Sequence, residues 1–176
     1  MATVEFYNQQ PGIATQIAQL QTKGVAQAAQ QNPPGTQIGY RPLRFSDFNK
    51  FDNVTPAIPS GYTWTINAGT QTIVTFLVPT AYVIGIAGWW GSNISSLGLG
   101  AYLQIQINNV TRVEFPLTQL ANAPGGVLYT FDQVVFSSIS QPMSWIVNNA
   151  TTSAATVFLW PVAYIFGPKA NLNLQS

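Results

Sequence analysis

The stretch AYLQIQINNVTRVEFP, residues 101–116, constrains the fold more than any other part of the chain. Leu103, Ile105 and Ile107 alternate with Gln104 and Gln106. Beyond the Asn108-Asn109 break, Val113 and Phe115 alternate with Arg112 and Glu114. Strand side chains point to opposite faces in turn, so two such runs about a turn signal read as a β-hairpin. The faces also set the register. A plain two-residue turn carried straight through would place Ile105 opposite Arg112. A shift of one residue pairs Ile105 with Val113 and Leu103 with Phe115, and matches the polar residues on the other face. A one-residue slip turns every side chain over, so burial dictates the shifted register, which needs an odd-numbered loop or a bulge.

The hairpin belongs to a long β-rich region. Candidate strands are Tyr62–Ile66, Gln71–Val78, Ala81–Trp90, Ala101–Ile107, Thr111–Phe115, Val127–Phe136, Met143–Val147 and Thr156–Phe166, punctuated by Gly, Pro and Asn. Short strands at regular spacing with turn signals predict an all-β sandwich or barrel. Eight strands with a tight hairpin between the fourth and fifth suit a jelly roll, of which that hairpin is the tip. The run Gln71–Trp90 is twenty residues without a charge, the length of a membrane span. Pro79-Thr80 at its centre and its β-branched residues favour two adjacent strands buried on both faces instead. Ile73, Val74, Phe76 and Leu77 cannot all point into one core, so an outer face needs a cover. The N-terminal helix or a neighbouring subunit would serve.

That helix is predicted within residues 11–30. Ile13, Ile17, Leu20 and Val25 recur at near-helical spacing among several alanines, and Asn32-Pro33-Pro34-Gly35 stops the run. Gly24 is the weak point inside it. The polar face carries Gln and Thr with the single charge Lys23, which gives no electrostatic support for anchoring to a membrane surface. The division is therefore an arm and helix over 1–36 and a β domain over 37–176. The opening residues have neither a basic nor an apolar segment of the secretory kind, so no classical signal is expected.

Charge bears on partners. Only 6% of residues are charged, where about 25% is usual. With a net charge of +1, no footprint for nucleic acid exists and little keeps copies of the chain apart. Nearly half of the charged residues fall in YRPLRFSDFNKFD, residues 40–52, where Arg41, Arg44, Asp47, Lys50 and Asp52 interleave with Phe45, Phe48 and Phe51. The acids nearly balance the bases, so local ion pairs are expected there, with the phenylalanines plugged into a core or a neighbour.

Chemistry is sparse. The sequence has no Cys and no His, which removes the usual ligands of zinc, haem and iron–sulfur centres and the usual nucleophile–base pairs. No cofactor or metal is expected. Of the five acids, Glu114 and Asp132 are the one credible pair for acid–base work, and each reads better as an outward strand residue. The chain is expected not to be an enzyme. The four Asn-X-Ser/Thr matches, at Asn53, Asn93, Asn109 and Asn149, are what an Asn- and Thr-rich composition provides by chance. The Gly-rich run 85–100 has no Lys and no phosphate-loop order. Trp89-Trp90 on a strand sends its two indoles to opposite faces, so one of them is expected at an interface.

The helix at Pro11–Gln30, the hairpin Ala101–Phe115 and the strand block Tyr62–Phe166 together resemble the single-jelly-roll capsid proteins of icosahedral viruses. In character the chain is similar to the smaller major capsid protein of the tailless, internal-membrane-containing phages of Thermus. The resemblance covers the whole chain in length and layout and rests on no diagnostic motif. It implies a barrel in a virion shell, a homo-oligomer (dimer or higher), a second, larger capsid protein beside it and contact with an internal lipid layer. It also implies a hot-environment host, although the ion-pair networks common in thermophile proteins are missing from this chain. Ile13, Ile17, Leu20, Phe45, Phe48, Trp89 and Trp90 are the expected assembly residues. The alternative is a carbohydrate- or receptor-binding β-sandwich, with Tyr82, Trp89, Trp90, Trp145, Trp160 and Tyr164 as a stacking platform.

Overall fold

The computed structural model describes residues 11–117, 127–137 and 139–172, with backbone alone for 11–13 and 127–133. Among these residues one α-helix, α1 (Pro11–Gln31), precedes ten strands. These are β1 (Ile38–Pro42), β2 (Asp52–Thr55), β3 (Thr63–Ile66), β4 (Gly69–Leu77), β5 (Val83–Ser92), β6 (Tyr102–Ile107), β7 (Val110–Pro116), β8 (Val127–Phe136), β9 (Met143–Asn149) and β10 (Ala155–Pro168). All ladders are antiparallel. The first sheet runs β1-β10-β5-β8, with β3 also on the β1 edge of β10, and the second runs β2-β4-β9-β6-β7. The pairing is nested: β6 with β7, β5 with β8, β4 with β9, β3 with β10. The all-β, two-sheet class read from the sequence holds. The expected eight strands become ten, because β1 and β2 were missed.

The hairpin takes the register that burial demanded. Leu103 faces Phe115 and Ile105 faces Val113, and the ladder then slips so that Gln106 faces Thr111 and Ile107 faces Val110. Arg112 is the bulged residue. The turn is the two-residue Asn108-Asn109 unit with both φ positive, at 51° and 62°. That conformation is the type I′ turn, which Asn tolerates and Val110 would not. A tight turn and a shifted register coexist because the bulge absorbs the odd residue.

A second bulge corrects the burial argument for β4. The β4–β9 ladder slips between Thr72 and Val74, so Ile73, Val74 and Phe76 all enter the core. Leu77 is half-buried and Thr72 exposed. β5 and β10 are buried on both faces, as is most of β9, whereas β4 is not, contrary to what the uncharged run implied. Ile84, Ile86 and Trp89 with Leu159 and Ile165 point into the sandwich. Val83 and Ala87 with Val162, Tyr164 and Phe166 point outward under α1.

The helix is seated by glycines. Ile17, Leu20 and Ala28 form its buried stripe. A Cβ on Gly24 would overlap the Phe166 ring, and one on Gly85 of β5 would lie 2.5 Å from Leu20 Cδ1 and 2.7 Å from Phe136 Cε1. Gly24, a weakness by helix propensity, is thus a socket for Phe166, and Gly85 is a socket for Leu20. Among the described residues no helix is long and apolar enough to cross a membrane, which says nothing of strands.

Candidate functional site

The seven residues nominated from sequence do not converge. The Ile13 side chain lies outside the described residues. Ile17 and Leu20 are spent under α1. Phe48 is in the core, edge-on to Phe51, Phe76 and Trp145. Trp89 is fully buried and meets Trp145 edge-to-face at 4.8 Å. Two of the seven keep open surface: Phe45, 40% exposed, and Trp90, half-buried. They lie on one aromatic chain. Phe45 packs on Tyr62, Tyr62 on Trp160 at 4.0 Å, and Trp160 is the cross-strand partner of Trp90.

This chain marks the outer face of the first sheet beyond the end of α1. Even-numbered residues of β10 point outward, and the face changes along them. Val162, Tyr164 and Phe166 lie under the helix, whereas Thr156, Phe158 and Trp160 do not. Phe158 and Trp160 lie parallel within 6°, with centroids 6.4 Å apart, and Trp90 stands at 79° to Phe158 at 5.0 Å. On the neighbouring strands Thr63 and Ser92 are paired with Phe158, and Thr65 with Thr156, so their hydroxyls share this face. No charged residue occurs in β3, β5 or β10. Sequence reading missed Phe158. Its strand is apolar at odd and even positions alike, which hides the outward set, although the order Thr156, Phe158, Trp160 was there to be read.

The charged segment at residues 40–52 folds into an ion-pair cluster, as its sign balance implied. Asp47 sits in a 3-10 turn (Phe45–Lys50) and accepts from Arg41 Nη1 at 2.6 Å and Nη2 at 2.5 Å. The Arg44 backbone N–H adds a bond at 2.8 Å, and Lys50 Nζ lies 3.7 Å away. Arg41 Nε donates to the Leu172 carbonyl at 3.0 Å. Burial alone would raise the Asp47 pKa. The Arg41 hydrogen bonds, the Arg44 N–H and the two nearby cations outweigh it, and the net pKa is lowered. Burial pushes the Tyr62 hydroxyl well above the usual tyrosine range, and the Asp47 charge adds to this. Burial likewise raises Tyr164, against a hydrogen bond from Gln21.

The remaining candidates disperse. Glu114 is exposed at the edge of the second sheet and accepts from Gln104, not from Arg112. Asp132 lies on β8 of the other sheet, its side chain outside the described residues. Trp145 and Tyr164 are buried, and Tyr82 lies under Lys50 Nζ at 5.8 Å. Among the described residues the buried Tyr62 hydroxyl and the Trp89 and Trp145 Nε1 groups find no hydrogen-bond partner. A groove of about 190 Å³ lies between the hairpin and β8, lined by Ile107, Arg112, Val113 and Val135 among others. Among the described residues no group of acids could hold a metal ion.

No family model matches the chain, and no curated protein matches it. Among solved structures it is similar to dimeric latent PorU from Porphyromonas gingivalis, with 13% identity and a TM-score of 0.35 over 75% of this chain. The chain spans 12% of that protein's length. It is also similar to a pentameric capsid protein from metagenomic phage sequences, with 15% identity and a TM-score of 0.24. That match covers 81% of this chain and 87% of the other. At these scores neither defines a shared fold.

Proposed function

We propose that this chain is a structural subunit of a virus shell, a jelly-roll capsid protein that assembles by burying uncharged surface and performs no turnover. The nested pairing of β3 with β10, β4 with β9, β5 with β8 and β6 with β7 carries the reading. It is the connectivity of one long antiparallel ribbon rolled into two interleaved sheets, with β1 and β2 as additions at the edges. Jelly rolls of this kind serve in viral capsids and lectins. The scarcity of charge supports a protein that packs against its own copies.

Assembly is assigned to open apolar positions. Phe45 is one. Val110 and Ile139, 52% and 50% exposed, are two more. The last two share one end of the sandwich, where the Asn108 N–H donates to the Pro142 carbonyl at 2.9 Å and joins the β6–β7 turn to the β8–β9 loop. Interfaces of standard size bury about 1,600 Å² in total, and repetition around a shell adds avidity to each weak contact. By its resemblance the subunit would stand in the virion beside a larger capsid protein and above a lipid layer, without contacting nucleic acid. Glu114 serves as a surface residue in this reading, bonded to Gln104.

Light scattering with negative-stain microscopy of the purified protein tests this. Oligomers, sheets or shells are expected at micromolar concentration, and Val110→Asp with Ile139→Asp should shift them toward monomer while the fold persists. A strict monomer at high concentration, unaffected by the double substitution, overturns the reading.

A further inference from the structure

We propose that the open half of the first sheet's outer face binds a neutral oligosaccharide. Sugar rings stack on Phe158 and Trp160, Trp90 bounds the site, and Thr63, Ser92 and Thr156 bond the sugar hydroxyls. This function is additional to shell assembly and does not depend on it.

Three observations select this occupant. First, the rings are set in advance. Phe158 and Trp160 are packed against the core cluster beneath them and are parallel within 6°. Side chains already fixed by packing lose little entropy when a ligand arrives. A pyranose ring presents a face of C–H groups, which matches the electron-rich face of an aromatic ring. Second, hydroxyls surround the rings. Thr63, Thr65, Ser92 and Thr156 lie on the same face. A Ser or Thr hydroxyl both donates and accepts and rotates to suit, which is what a sugar hydroxyl needs of its partner. Among the described residues none of these four hydroxyls makes a hydrogen bond within the chain. Third, charge selects for neutrality. β3, β5 and β10 contain no acid and no base, so these strands offer a uronate or sialate no counter-charge and a neutral glycan meets no penalty. A second copy of the chain would find aromatic surface here too, but the rim of open hydroxyls favours a ligand that is itself hydroxylated.

Titration of the intact protein with chito- and cello-oligosaccharides, read by tryptophan emission, is the test, alongside an array of neutral and acidic glycans. A saturable shift from Trp90 and Trp160 is expected with a neutral glycan, with acidic glycans bound more weakly. Phe158→Ser should weaken binding about tenfold or more, the loss of one stacking contact. Trp90→Thr provides a second variant, and circular dichroism of both confirms that they fold. Three results each overturn the proposal: no binding to any neutral glycan, binding unchanged in both variants, or an emission shift that follows protein concentration without sugar. The last would assign the face to a second copy.

Discussion

The outer face of the first sheet is one surface with two fates. Under α1 it is made of Val83, Gly85, Ala87, Val162, Tyr164 and Phe166. Beyond the helix it is made of Trp90, Ser92, Thr156, Phe158 and Trp160. Both halves are rich in aromatics, so hydrophobicity alone does not separate them. The covered half contains glycine sockets on both partners, Gly24 and Gly85, that let a helix approach closely. The open half has hydroxyls in their place. A surface meant for a permanent partner is shaped to that partner's backbone. A surface left open keeps groups that water or a ligand can satisfy.

The Arg41–Asp47 pair lies behind this face, on the inward side of β1, where the chain leaves that strand. β1 and β3 occupy the same edge of β10 at different heights, and the segment between them crosses where the Leu43 N–H donates to the Ala163 carbonyl at 2.9 Å. The largest expected effect is therefore Arg41→Met. It strands the Asp47 carboxylate, 1% exposed, without its bidentate partner, and should cost about 3–5 kcal/mol in denaturant unfolding. Pairing it with Asp47→Leu should recover most of that loss, because well-packed apolar residues replace a buried pair at little cost. A small effect of the single substitution would mean that this crossing is held by apolar packing alone.

The same pair gives acid sensitivity. The Asp47 pKa is lower folded than unfolded, so the unfolded chain binds the proton first as pH falls. The resulting stability is present above the unfolded carboxylate value, about 3.9, and is lost as pH drops through the lower folded value. Asp47→Asn should flatten this acid limb of unfolding midpoint against pH. An unchanged limb would assign acid sensitivity elsewhere.

Next in size are the sockets. Gly85→Val places side-chain carbon where Leu20 and Phe136 already sit and should destabilise by about 1–3 kcal/mol. Gly24→Ala sets two effects against each other. Helix propensity alone predicts a gain of about 1 kcal/mol, whereas the Phe166 ring fills the space a methyl would take. A net loss is expected. A gain would show that α1 can ride up over Phe166 freely, and the covered half would then be less committed than its sockets imply.

These positions also show what a sequence can reveal. The hairpin register was legible because burial and period-2 patterning both bear on Ile105 and Val113, and no distant partner was needed to decide it. The helix was legible from Ile17 and Leu20, but the meaning of Gly24 was not, since its neighbour Phe166 is far along the chain. The uncharged run at residues 71–90 correctly signalled two-sided burial. It misassigned one strand, because a bulge in β4 sends both Ile73 and Val74 inward. β1 and β2 went unseen because Gly39, Pro42 and the positive-φ Asn53 carry no strand signal. The sign balance of residues 40–52 was visible, while the bidentate geometry of Arg41 on Asp47 depends on a turn that the pattern did not specify. For the open face, Trp90 and Trp160 were picked out as aromatics. Phe158 was hidden by a strand that is apolar on both sides.

The smallest expected effect bears most directly on the open half. Thr156→Val keeps the side chain's shape and removes one hydroxyl from an exposed strand position paired with Thr65. Stability should change by less than about 0.5 kcal/mol, since among the described residues none bonds that hydroxyl. Affinity for a neutral oligosaccharide should fall severalfold, because a sugar hydroxyl would lose a partner it had exchanged for water. If the face instead packs against a second copy, the same substitution removes a desolvation cost and adds apolar area, so self-association should tighten. The two readings thus predict opposite signs from one methyl-for-hydroxyl exchange. Sugar titration and light scattering on the same preparation separate them.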